Sequence, residues 1–127
     1  MACGGATLQV IETAQDLVDT MRSLGCHSIS APLIGQPLRL IAIDPSGTGD
    51  APMILIDPTI TARDGSKSGA ETCLVASPMQ RERATRIFVR AITLDGRAMG
   101  AECFGEEAVL IQHQIEHLDG IDPAIFT

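Results

Sequence analysis

Gln112-His113-Gln114-Ile115-Glu116-His117-Leu118-Asp119-Gly120 sets two histidines four residues apart inside an apolar-periodic segment. Residues at i and i+4 share one helical face, so both imidazoles can point at a single metal ion. Zinc in catalytic sites takes three protein ligands plus a water, and a Cys thiolate is among its commonest partners. Cys73, in Glu71-Thr72-Cys73-Leu74, is therefore the candidate third ligand. The alternative reading makes the histidines a hydrogen-bonded core pair and Cys73 a small buried hydrophobe.

Outward from that stretch, the spacing predicts a helix from about Gly105 to Leu118, with Glu106 and Glu107 at its positive N-terminus and Gly120 as its stop. It is expected to pack on a sheet through Val109, Leu110 and Leu118. Before it, Arg86 to Leu94 and Arg97 to Phe104 read as strands joined at Asp95-Gly96, a strong two-residue hairpin signal. Arg39 to Asp44 reads as a buried strand, Met53 to Ile56 and Thr59 to Arg63 as two more, and Asp64 to Gly69 as a loop leading to Glu71. Near the N-terminus Ile11, Ala14, Leu17, Val18, Met21 and Leu24 recur at helical spacing, with Thr13 able to cap and Gly25 able to end the helix. Cys26 to Gly35 is a run of mostly small residues, which suits close approach of the backbone to a strand or a ligand. These elements predict one α+β domain over residues 1–127, with a mainly antiparallel sheet packed around the C-terminal helix that carries the histidines.

Composition narrows the function classes. A net charge of −7 and a pI near 4.7 argue against a nucleic-acid partner, which needs a basic face. The basic residues between Arg81 and Arg97 read instead as a solvated sheet edge. No apolar run approaches the ~18 residues of a membrane span. Cys3, Cys26, Cys73 and Cys103 are too few for a cysteine-dense scaffold, and Met1 to Leu8 lack the basic and apolar regions of a secretory signal. The expectation is a cytoplasmic protein with reduced thiols and no membrane partner.

The histidine stretch looks like the H-E-x-x-H helix of metallohydrolases, but Gln114 stands where the general base should sit. Three stretches in order resemble the motifs of the peptide deformylase family. Cys26 to Gly35 is similar to its G-x-G-x-A-A-P-Q-x-G loop, Glu71 to Val75 to its E-G-C-L-S segment, and Gln112 to Gly120 to its Q-H-E-x-D-H-L-x-G helix. The resemblance implies the peptide-deformylase-like fold, and Zn²⁺ or Fe²⁺ held by Cys73, His113 and His117. It also implies a small N-formylated or N-acylated substrate, or a peptide N-terminus. In that family the glutamate takes a proton from water and passes it to the leaving amine, and here Gln114 occupies its place. The loop glutamine that donates to the oxyanion falls on Leu33, which leaves the backbone N–H of Leu74 as the remaining donor. The loop glycines fall on Cys26 and Ser28, and Thr72 and Val75 also depart from the pattern.

Glu116 replaces the family's aspartate, and is expected to steady a ligand histidine or serve the structure. Glu71 is expected to pair with an arginine such as Arg81 or Arg83, and His27 to lie on the loop surface. Two functions follow. One is a divergent metal-dependent amide hydrolase, and the other is a catalytically inactive protein that binds metal or an N-terminus.

Overall fold

The computed structural model describes residues 6–48, 52–73 and 76–120, with the side chains of residues 70 and 72–80 outside that description. Strand β2 (Leu40–Ile43) organises it, because all four of its residues are buried. Successive side chains of a strand point to opposite faces. Leu40 and Ala42 accordingly join one apolar cluster, with Val10, Leu17 and Met21 of helix α1 (Leu8–Leu24), while Ile41 and Ile43 join a second, with Ala108, Ile111 and Ile115 of helix α2 (Gly105–Leu118). The sheet thus carries a helix on each face.

Its five strands run in the order β1 (Ser28–Ser30), β2, β3 (Met53–Asp64), β6 (Arg86–Ile92) and β7 (Ala98–Phe104), and every neighbouring pair is antiparallel. Strands β4 (Lys67–Cys73) and β5 (Ala76–Arg83) form a separate antiparallel pair. A 3-10 turn, Ala31–Ile34, follows β1. The Asp95-Gly96 turn closes the β6/β7 hairpin as expected, with the Gly96 N–H donating to the Thr93 carbonyl at 2.9 Å.

Local chemistry shifts several boundaries. Helix α1 starts earlier than the periodicity from Ile11 suggests, because the Thr7 hydroxyl caps it by accepting from the Val10 N–H at 3.3 Å. Thr13, the expected cap, is buried within the helix, and Ile11 faces solvent. Gly25 ends it in the left-handed region as expected. The two short strands expected on either side of Asp57-Pro58 are one strand, β3, with a bulge there. Asp57 takes φ 51°, a conformation an aspartate tolerates, and Pro58, which has no N–H to give a ladder, sits at that irregularity.

Strand β4 begins at Lys67, inside the stretch expected to be loop. Strand β6 lies inside the sheet rather than at its edge, exposing Arg86, Phe88 and Arg90 on one face, while Arg83 is buried. On α2 the stripe that enters the core is Ala108, Ile111 and Ile115, whereas Leu110 and Leu118 pack beside it half-buried and Val109 lines a cleft. Replacing fully buried Ile111 with Ala should cost ~2 to 5 kcal/mol. Urea denaturation checks this, and a loss no larger than that of Leu110→Ala would contradict the assignment of the core face.

Candidate functional site

The middle turn of α2 is buried on polar and apolar sides alike, with Gln112, His113 and Gln114 only 3%, 4% and 3% exposed. Buried polar groups require partners. Gln112 finds them as a peptide group would: its Nε2 donates to the Ala84 carbonyl at 2.9 Å and to the Ala108 carbonyl at 3.0 Å, and its Oε1 accepts from the Ala84 N–H at 3.0 Å. This ties α2 to the chain immediately after Arg83.

Arg83 and Glu71 then fix the first histidine. The Arg83 Nε donates to Glu71 Oε2 at 2.9 Å, and its Nη2 donates to Glu71 Oε1 at 3.0 Å and to Glu116 Oε1 at 2.8 Å. Glu71 Oε1 lies 2.8 Å from His113 Nδ1. Burial pushes the Glu71 carboxyl up, but hydrogen bonds from His113 and Arg83, and then the Arg83 charge, outweigh it and hold the group at about 2. Burial also opposes the Arg83 charge, and its bonds to Glu71 and Glu116 more than reverse that effect. With Glu71 ionised, a neutral His113 carries its proton on Nδ1, facing the carboxylate, and keeps the Nε2 lone pair bare. That is the tautomer a metal ligand needs.

The Nε2 atoms of His113 and His117 lie 3.3 Å apart. Two nitrogens each ~2.0–2.1 Å from a tetrahedral zinc stand roughly 3.3–3.4 Å from one another. The pair therefore has the spacing of one edge of such a site, as well as that of an N–H···N hydrogen bond. No group of three metal-binding side chains occurs among the described residues. The expected third ligand, the Cys73 side chain, lies outside the described residues, as does the Leu74 N–H expected to meet an oxyanion. The backbone of Cys73 ends β4, two residues beyond Glu71.

Gln114 is turned toward β1. Its Nε2 donates to Ser28 Oγ at 2.9 Å, and its Oε1 is buried without a hydrogen-bond partner among the described residues. Ser28, Glu71, Arg83, His113 and Gln114 all border a cleft of about 820 Å³. Leu33 does not border it; this side chain is half-buried against the α1 cluster. His27 is exposed at the cleft, with Nδ1 3.1 Å from the Pro45 carbonyl and 3.5 Å from Glu106 Oε1. Of the expected site residues, His113, His117, Gln114 and Glu116 are thus gathered on one helix, and Glu116 contacts the arginine rather than a histidine ring. Ser28, Gln112 and Arg83 hold the arrangement together; Arg83 is one of the two arginines expected to pair with Glu71, whereas nothing in the local pattern marks Ser28 or Gln112 as partners of buried groups.

Since Glu71 sits below its ordinary 4.5 in the folded protein, its stabilising contribution is complete above about pH 4.5 and is lost as pH falls toward 2. Acid titration should show this loss in the wild type and not in Glu71→Gln. The same substitution should weaken metal affinity ~10–100-fold, the usual cost of losing a partner behind a ligand histidine. Unchanged affinity by competition with a chelating dye would separate Glu71 from metal binding.

A family model of polypeptide deformylases matches residues 5–123. A peptide deformylase of Dictyoglomus thermophilum is similar at 35% identity over 115 residues, 89% of this chain and 73% of its own length. One of Desulforudis audaxviator is similar at 38% over 119 residues, 91% of this chain and 75% of its own. The crystal structure of a peptide deformylase from Legionella pneumophila superposes with a TM-score of 0.89 at 27% identity, covering 95% of this chain and 73% of that one.

Proposed function

The chain belongs to the polypeptide deformylase family, and from that premise we propose that it is a metal-dependent amide hydrolase of the deformylase type, acting weakly or on an altered N-formyl or N-acyl substrate. The observation that carries this reading is the 3.3 Å approach of the His113 and His117 Nε2 atoms, with Glu71 behind His113 to set its tautomer. Cys73, His113 and His117 would hold Zn²⁺ or Fe²⁺, since thiolate and imidazole suit these ions and not Mg²⁺ or Ca²⁺. When bound, such an ion supplies a Lewis acid and a water whose pKa is near 7.

This chain's own residues do less than the reaction asks. Glu71 and Arg83 orient His113, and the cleft beside it admits a small acylated ligand or the end of a peptide. Gln114 can orient a ligand by hydrogen bonding, but an amide at neutral pH neither takes up a proton nor returns one to a leaving nitrogen. Leu33 has no donor for an oxyanion, and the Leu74 N–H is the donor the proposal retains. Cytoplasmic residence, where nascent formylated chains occur, is part of the same proposal.

A second reading, a protein that binds metal or an N-terminus without turnover, is favoured by one specific observation. The Gln114 amide is engaged by Ser28. Metal analysis combined with a formate-release assay on a formyl-methionyl peptide separates the two. His113→Ala and His117→Ala should each lose metal by more than the ~10–100-fold expected for an outer partner. Retention of one equivalent of zinc by both variants would remove the proposed centre.

A further inference from the structure

We propose that Ser28 is a positioning residue for position 114, holding that side chain against β1, so that a carboxylate restored there would stay captured until the serine hydroxyl is also removed. The inference rests on the hydrolase reading above and deepens it. Residues 28 and 114 are far apart in sequence, yet the Gln114 Nε2 donates to Ser28 Oγ at 2.9 Å. Gln114 is 3% exposed, and its Oε1 has no hydrogen-bond partner among the described residues. The Ser28 contact is thus the side chain's tether. Which end of the amide meets β1 is decided at the far end, because the reverse orientation would leave an NH₂ with two donors in the place of one acceptor.

A serine hydroxyl donates as readily as it accepts. Facing a carboxylate at 114 it would turn its proton toward the oxygen, and a hydrogen bond to a charged acceptor is roughly twice as strong as a neutral one. The tether would therefore tighten in Gln114→Glu. Ser28→Ala removes it without adding bulk at the cleft.

Two measurements test this. On metal-free protein, one glutamine side-chain NH₂, assigned by its disappearance in Gln114→Glu, should exchange with solvent slowly in the wild type and in Ser28→Thr. In Ser28→Ala it should exchange about tenfold faster, the equivalent of one ordinary hydrogen bond. On zinc-loaded protein, formate release is compared for the wild type, Ser28→Ala, Gln114→Glu and the double variant. The double variant should exceed the product of the single effects by about tenfold in kcat, with KM little changed. Exchange unaffected by Ser28→Ala, or a double variant equal to the product of the singles, overturns the inference. If all four forms bind zinc and none releases formate, the hydrolase reading falls, and the exchange result alone decides the role of Ser28.

Discussion

Zinc-loaded wild-type protein is expected to release formate from a formyl-methionyl peptide far more slowly than ~10 s⁻¹, the median turnover of enzymes. Amide cleavage needs a proton at the leaving nitrogen, because an amine anion is a very poor leaving group. Gln114 cannot carry that proton, and the loss of a general acid–base group costs ~10² to 10⁴ in rate. Under the proposed function Leu33 stands where the family has its oxyanion donor, and an absent donor of that kind costs ~10² to 10³. The two costs need not multiply, since groups that act as a unit are coupled.

Gln114→Glu should raise the rate, more so when Ser28 is also replaced, and Leu33→Gln should add a further gain. The last gain has a limit that packing imposes. Leu33 is half-buried against the α1 cluster, so a glutamine there must leave that cluster to reach a substrate, and the variant should also lose stability. A wild type that turns over the peptide at ordinary enzyme rates would refute the argument from the missing base. Glu116→Gln would then show whether that carboxylate has taken over, although its bond to Arg83 at 2.8 Å argues that it is already engaged.

What the sequence made legible follows from the range of the interactions involved. The i, i+4 histidine spacing, the Asp95-Gly96 turn and the Gly25 helix stop are local, and each appears where the chain alone predicts it. The local pattern misleads where a tertiary contact decides. Met53 to Ile56 and Thr59 to Arg63 read as two strands, yet the sheet joins them into β3 with a bulge at Asp57-Pro58, because pairing with β6 resumes on the far side. On α2 the apolar residues Val109, Leu110 and Leu118 suggest the face that packs on the sheet, and of these Leu110 and Leu118 do pack beside the core while Val109 lines the cleft. The stripe that enters the core is instead Ala108, Ile111 and Ile115, and the hydrogen bonds of Gln112 to Ala84 hold the helix in that orientation. That stripe is itself apolar at i, i+3 and i+7, so periodicity leaves two adjacent faces of α2 open, and the polar contacts of Gln112 select between them. The site shows the same division. Its histidines stand in one short stretch, but the Ser28–Gln114 and Arg83–Glu116 contacts join residues far apart in sequence, and only the fold brings them together.

Arg83→Ala should be among the most destabilising single changes in the protein, at ~3 to 5 kcal/mol. The guanidinium is 7% exposed and bonded to two carboxylates, one of them, Glu71, equally shielded. Its removal leaves the buried Glu71 carboxylate without its cation and with the Glu116 carboxylate nearby, so that its charge is uncompensated. One escape is for Glu71 to bind a proton, which weakens its hold on His113. Destabilisation and loss of metal affinity should therefore appear together in this variant, with the stability loss shrinking at acid pH as the carboxylate is neutralised. Glu116→Gln removes only the outer carboxylate, which is 27% exposed, and should cost far less. Urea denaturation of the metal-free variants from pH 4 to 8, paired with zinc titration, measures both effects. A loss under ~1 kcal/mol for Arg83→Ala, within the range of an ordinary surface ion pair, would mean that the arginine is dispensable to the arrangement around His113.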